Sequence, residues 1–170
     1  MTPIGDNIWA WHDFCVAQAG AAAALAGLLF VAVSINLGRI LEYANLPVRV
    51  IEALIAFIAV LFIASFVLVP HQPLPALGLE IAVTGLGLWL VNMLALRADL
   101  KHSPAMTPGW NFRKLTRVAA NQLPPLPFII GGLMIAFGMN NGLYWIVPGT
   151  LLCFASGLFG AWVLLIEIQR

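Results

Sequence analysis

Charge is what this chain has least of: Asp, Glu, Lys and Arg together make up 9% of its 170 residues. A water-soluble domain of that length needs a larger polar exterior, so a soluble globule is excluded and most of the surface must face lipid. A net charge of +1 likewise excludes a nucleic-acid binder, which needs a basic surplus. Cysteine occurs twice, at Cys15 and Cys153, without metal-ligand spacing. A disulfide framework is therefore excluded, and both read as small residues of membrane helices. No P-loop, nucleophile elbow, Rossmann fingerprint or zincin motif occurs. The serines (Ser34, Ser65, Ser103 and Ser156) have no recognisable base nearby in sequence. The chain reads as a non-enzyme that calls for no cofactor.

What is abundant is apolar sequence: 62% hydrophobic residues, with a mean hydropathy of +0.97. From Phe14 to Gly38 no charge occurs, a run that crosses a hydrocarbon core of ~30 Å at ~1.5 Å per residue. It is longer than the apolar region of a signal peptide, so the first helix is expected to be retained. The expected fold is all-α, one integral membrane helical bundle over 1–170, with spans at about 14–37, 48–69, 76–96, 118–139 and 143–168. The cluster Pro70-His71-Gln72-Pro73-Leu74-Pro75 ends the second span. Residues 97–117 hold Pro104, Pro108 and Gly109 and read as a loop or surface segment.

The fourth span is the ambiguous one. Between Arg117 and Glu167 there is no charge, which leaves room for two crossings joined at Met139-Asn140-Asn141-Gly142. The first of these contains Asn121, Gln122, Pro124, Pro125 and Pro127. Either it bends between Leu123 and Phe128, or it is a re-entrant hairpin. Basic residues favour the bent span. With five crossings, Arg39 and Arg49 share one side with Arg97, Lys101, Arg113, Lys114, Arg117 and Arg170. That side is cytoplasmic by the positive-inside rule, which puts the N-terminus outside and the C-terminus inside. Trp9, Trp11, Tyr144 and Trp145 then fall at the outer interface, and Tyr43 and Trp110 near the inner one. Trp89 and Trp162 fall inside spans and read as packing residues.

Small residues should mediate helix contact, because lipid removes the hydrophobic drive between helices. The first span offers Ala19, Ala23 and Gly27 in one register, with Gly20 and Ala24 beside them. The last offers Gly149, Cys153 and Gly157, then Ser156 and Gly160. Such stripes serve internal packing or oligomer contacts, with internal packing the simpler expectation.

Ionisable groups inside spans carry the functional expectations. Arg49 and Glu52 are one turn apart at the start of the second span and read as a structural ion pair. Glu80 is in the second turn of the third span, on a side without Lys or Arg, and needs His71, His12, a cation or a proton. Gln18 should lie at similar depth, and Thr84 is one turn beyond Glu80. His12, Asp13, His71 and Glu80 are also ligand types for Zn²⁺ or another divalent ion, although nothing in their spacing requires a metal. Lys101, Trp110, Arg113, Lys114 and Arg117 read as lipid headgroup contacts, each cation attracted by about 1 kcal/mol to anionic lipid.

Three stretches carry a resemblance: Trp11-His12-Asp13-Phe14 through Gly27-Leu28-Leu29-Phe30-Val31-Ala32-Val33-Ser34; Gln122-Leu123-Pro124; and Gly142-Leu143-Tyr144-Trp145 through Trp162-Val163-Leu164-Leu165-Ile166-Glu167-Ile168. They resemble a group of small bacterial integral membrane proteins, some of which are labelled modulator of the FtsH protease. The resemblance covers nearly the whole chain. It implies a multi-pass protein of the bacterial inner membrane and supplies no catalytic residues.

Three functions compete on these grounds. The first is a non-enzymatic accessory protein acting on a membrane protease or other complex. The second is a homo-oligomeric channel or small transporter with Glu80, Gln18 and Thr84 near its path. The third is a metal-binding membrane protein using His12, Asp13, His71 and Glu80. The expected partners are the lipid bilayer and either a second copy or another membrane protein.

Overall fold

The computed structural model describes residues 11–42, 46–102, 118, 121–139 and 141–168. Tyr43, Trp110, Arg113, Lys114, Arg117, Arg170 and Trp9 lie outside them, as does the side chain of Lys101. The described chain is all-α: α1 His12–Ile35, α2 Leu37–Glu42, α3 Leu46–Leu68, α4 Leu74–His102, α5 Pro125–Ala136 and α6 Ile146–Ile168, with a 3₁₀ turn at Gly142–Trp145 before α6. Four stretches are long and apolar enough to cross a membrane: His12–Ile35, Leu46–Leu68, Leu74–Arg97 and Gly142–Val163. α5, with 12 residues, is shorter. The protein is a multi-pass helical membrane protein.

Local chemistry sets the boundaries. α1 stops at Asn36, whose amide nitrogen donates to the Ala32 carbonyl and whose backbone N–H bonds Val33. α3 ends where Val69 bonds back to Phe66 and Pro70 has no N–H to continue the ladder. His71 then takes a left-handed backbone, φ 58°, which turns the chain into α4. α4 runs on past Arg97 to His102 rather than giving way to a loop at 97. Residues 97–102 include no helix breaker, so the boundary of the apolar run is not the boundary of the helix.

Helix α3 is the centre of the bundle. Half of its apolar window is buried, against 11% for α1. It packs against α1, α4 and α6, while α5 packs against α4, α6 and the 3₁₀ turn. The α6 stripe is used internally. The Phe128 ring lies over Gly149, and the Phe57 ring lies over Gly157, where a β-carbon would stand 2.6 Å from Cε1. Helices α4 and α5 meet backbone to backbone. A β-carbon on Gly78 would stand 2.6 Å from the Gly132 carbonyl oxygen, and one on Gly132 would stand 2.7 Å from the Gly78 oxygen. Glycine is required on both sides of that crossing.

These contacts fix directions. Gly78 meets Gly132 and Ala136, Gly85 meets Phe128 and Ile129, and Asn92 meets Asn121. The segment from Asn121 to Ala136 thus runs antiparallel along α4. Trp11 stacks edge-on against Tyr144 with ring centroids 5.1 Å apart, so α1 and the 3₁₀ turn begin at the same end. At the opposite end Leu29, Ile40, Leu46 and Val50 form a second core around Phe57.

Candidate functional site

The α3–α4 turn builds the most structured polar site at the Trp11 end. With His71 left-handed, Gln72 folds back over the first turns of α4, and its Nε2 donates to Glu80 Oε2 at 2.6 Å. Gln72 Oε1 is buried and takes no hydrogen bond. Thr84 Oγ1 donates to the main-chain oxygen of Glu80 at 2.8 Å, so this hydroxyl serves the helix itself. Glu80 and Gln72 are both half-buried and His71 is exposed. Among the described residues no hydrogen bond joins either histidine to Glu80.

The other sequence candidates are distributed around this site rather than gathered into it. His12 Nδ1 and Asp13 Oδ1 are 3.2 Å apart, an exposed pair of neighbours on α1. Gln18 is on α1, which packs on α3 and α6, and its buried Oε1 has no partner. No group of three His, Cys, Asp or Glu side chains converges as a metal site among the described residues. Toward the other end, Arg49 and Glu52 are both half-buried near the start of α3, and Arg49 Nε is buried without a hydrogen-bond partner.

A second polar site, not anticipated from sequence, surrounds the proline break. Val118, Asn121 and Gln122 are helical, Leu123 and Pro124 form a turn, and α5 restarts at Pro125. An unbroken helix would have N–H groups at 125 and 127 donating to the carbonyls of Asn121 and Leu123, and proline removes both. Leu126 N–H takes over the Leu123 carbonyl at 3.3 Å. Asn92, only 6% exposed, donates from Nδ2 to the Asn121 carbonyl at 2.6 Å. The signal for this repair is faint: one amide in an otherwise apolar stretch of α4. Gln122 beside it has both amide atoms buried and unpartnered.

The chain matches no protein-family model, no curated protein and no solved structure.

Proposed function

We propose that this protein is a five-pass, non-enzymatic accessory protein of the bacterial inner membrane that offers its first helix to another membrane-embedded chain. A membrane protease or a comparable complex is the kind of partner suggested by the sequence resemblance. The observation that carries the reading is the outward side of α1. Cys15, Ala22 and Leu29, seven residues apart, are buried against the bundle. About half a turn away run Gly20, Gly27 and Ser34, with Ala23 and Ala24 beside them, all exposed. A β-carbon on Gly20 or Gly27 would meet nothing within 4 Å. Large side chains are exposed on α4 and α6 (Leu79, Val83, Leu90, Leu158, Phe159 and Trp162) and also on α1 (Leu28, Phe30, Val31 and Ile35), and α4 exposes Gly87. What sets α1 apart is that Gly20, Gly27 and Ser34 repeat every seven residues along one line. Lipid contact is served well by such large side chains, whereas glycine on an outward face favours close approach of a second helix.

Five crossings are supported by the antiparallel run of 121–136 along α4 and by the return of the chain to Trp11 at Tyr144. Five crossings also collect all eight Lys and Arg residues on one side. The channel reading has less support, because the Thr84 hydroxyl is engaged with the Glu80 carbonyl and Gln18 sits on a helix packed elsewhere.

Single cysteines at Gly20, Gly27 or Ser34, in a chain with Cys15 and Cys153 replaced by alanine, test the reading in native membranes. The α1 positions should give a cross-linked adduct, and a control cysteine at Val83 should give none. The adduct's mass separates a second copy from a foreign subunit. Equal cross-linking from both helices, or none from either, overturns the proposal.

A further inference from the structure

The buried oxygen of Gln72 lacks a donor, and the amide nitrogen on the same carbon meets a carboxyl group. Gln72 Nε2 donates to Glu80 Oε2 at 2.6 Å, while Gln72 Oε1 is buried with no hydrogen-bond partner. In an amide the nitrogen and oxygen are borne by one carbon. A carboxyl group that meets the nitrogen through one oxygen can therefore turn its other oxygen toward the amide oxygen about its terminal torsion. Two bare acceptors facing each other repel, but a proton between them makes a hydrogen bond.

Among the described residues no Lys or Arg stands at this end to compensate a charge. Between Arg49 and Arg97 the sequence has no Lys or Arg. The two helices packed on α4 bring no ionisable side chain to this end: α3 has none after Glu52, and α5 has none at all. Among the described residues, the other titratable groups at this end are His71, which is exposed in the turn, the exposed pair His12 and Asp13, Tyr144 stacked on Trp11, and the buried thiol of Cys15. Glu80 itself sits two turns into an apolar helix long enough to cross a membrane, where a charged carboxylate without a cation is disfavoured.

We propose that Glu80 and Gln72 form a proton-binding site: Glu80 carries a proton on the oxygen facing Gln72 Oε1, and the two side chains close a cyclic acid–amide pair. The amide N–H donates to the carboxyl C=O, the carboxyl O–H donates to the amide C=O, and all four polar atoms are used. The ligand is a proton, and binding it ties the 69–73 turn to α4. The inference is independent of what α1 contacts.

Infrared spectroscopy of the full chain in lipid at neutral pH tests it, using glutamate labelled at the side-chain carboxyl carbon. The wild type should show the carbonyl stretch of a protonated carboxylic acid, which exchanges in D₂O and is absent from Glu80→Gln. In Gln72→Leu the band should survive at the frequency of a free acid or give way to carboxylate, since the amide oxygen is gone. A wild-type spectrum with no protonated-acid band lost in Glu80→Gln overturns the proposal. So does a band unmoved by Gln72→Leu. Should Glu80→Gln fail to fold, the wild-type and Gln72→Leu spectra still decide the matter.

Discussion

The amide nitrogen of Asn92 lies 2.6 Å from the carbonyl oxygen of Asn121, an acceptor left without its helical donor because residue 125 is proline. A side chain of α4 thus performs the hydrogen bond that the neighbouring segment gave up. Backbone carbonyls in a low-dielectric bundle need a donor, and a break in a membrane helix is tolerated where neighbours supply one.

Asn92→Leu should therefore destabilise the protein by about 1–2 kcal/mol, since it strands a buried acceptor. In a Pro125→Ala background the helical N–H returns, and the same substitution should cost less. Equilibrium unfolding in mixed micelles measures both effects in a double-mutant cycle. Equal costs in the two backgrounds would show that Asn92 acts through packing alone.

The small residues of α5 and of α1 should behave oppositely. Gly132→Val forces a side chain into the backbone of α4, a clash that costs roughly 1–3 kcal/mol or more. Gly27→Leu adds a side chain where nothing lies within 4 Å, and should change the stability of the isolated chain by less than about 0.5 kcal/mol. Thermal melts in detergent read the difference. A Gly27→Leu melt lowered as far as that of Gly132→Val would mean that α1 packs internally through its glycines.

Long uncharged runs made the four apolar helices legible in the sequence, since hydrophobic length is a direct physical requirement for crossing lipid. The break near Pro124 was legible for the same kind of reason, as proline removes a donor wherever it sits. Its repair was not, because Asn92 and Asn121 meet only once α4 and α5 pack, 29 positions apart in sequence. Glu80 stood out as an acid on a side without cations, and what was expected to meet it was His71, His12, a cation or a proton. The neutral Gln72 reaches it, through a left-handed His71 that no composition rule foresees. The α1 stripe was expected to pack internally; of its residues Ala19 is half-buried against the core, while Gly20, Ala23, Ala24 and Gly27 are exposed. The buried register is Cys15, Ala22 and Leu29, which depends on where α3 sits and is tertiary information.

Cys15 and Cys153 are 1% and 0% exposed and both are free thiols. In the folded protein neither should react with a polar thiol reagent on the timescale that modifies both after denaturation, and reduction should leave the mass unchanged. Intact-mass spectrometry before and after denaturation checks this. Rapid labelling of Cys15 in the native state would mean that α1 detaches from the bundle.

The topology prediction rests on direction as well as on charge. α4 runs from the Leu74 end to the Arg97 end, and the segment Asn121–Ala136 returns alongside it, with Asn92 beside Asn121 and Gly78 beside Ala136. A re-entrant hairpin would bring the chain back to the Arg97 end before α6. Instead Tyr144 is stacked on Trp11, at the start of α1, and α6 then passes Phe57 at Gly157 and Ala53 at Gly160 on its way to the other end. Positive charge sets the sense of the whole arrangement, because loops rich in Lys and Arg stay cytoplasmic. Alkaline phosphatase folds into active enzyme only outside the cytoplasm, so a fusion after Asn141 should be active and fusions after Lys101 or Arg170 inactive. A fluorescent-protein fusion after Arg170 should give the complementary signal. An active phosphatase after Arg170 would put that end outside, reduce the crossings to four, and make 118–139 a re-entrant segment after all.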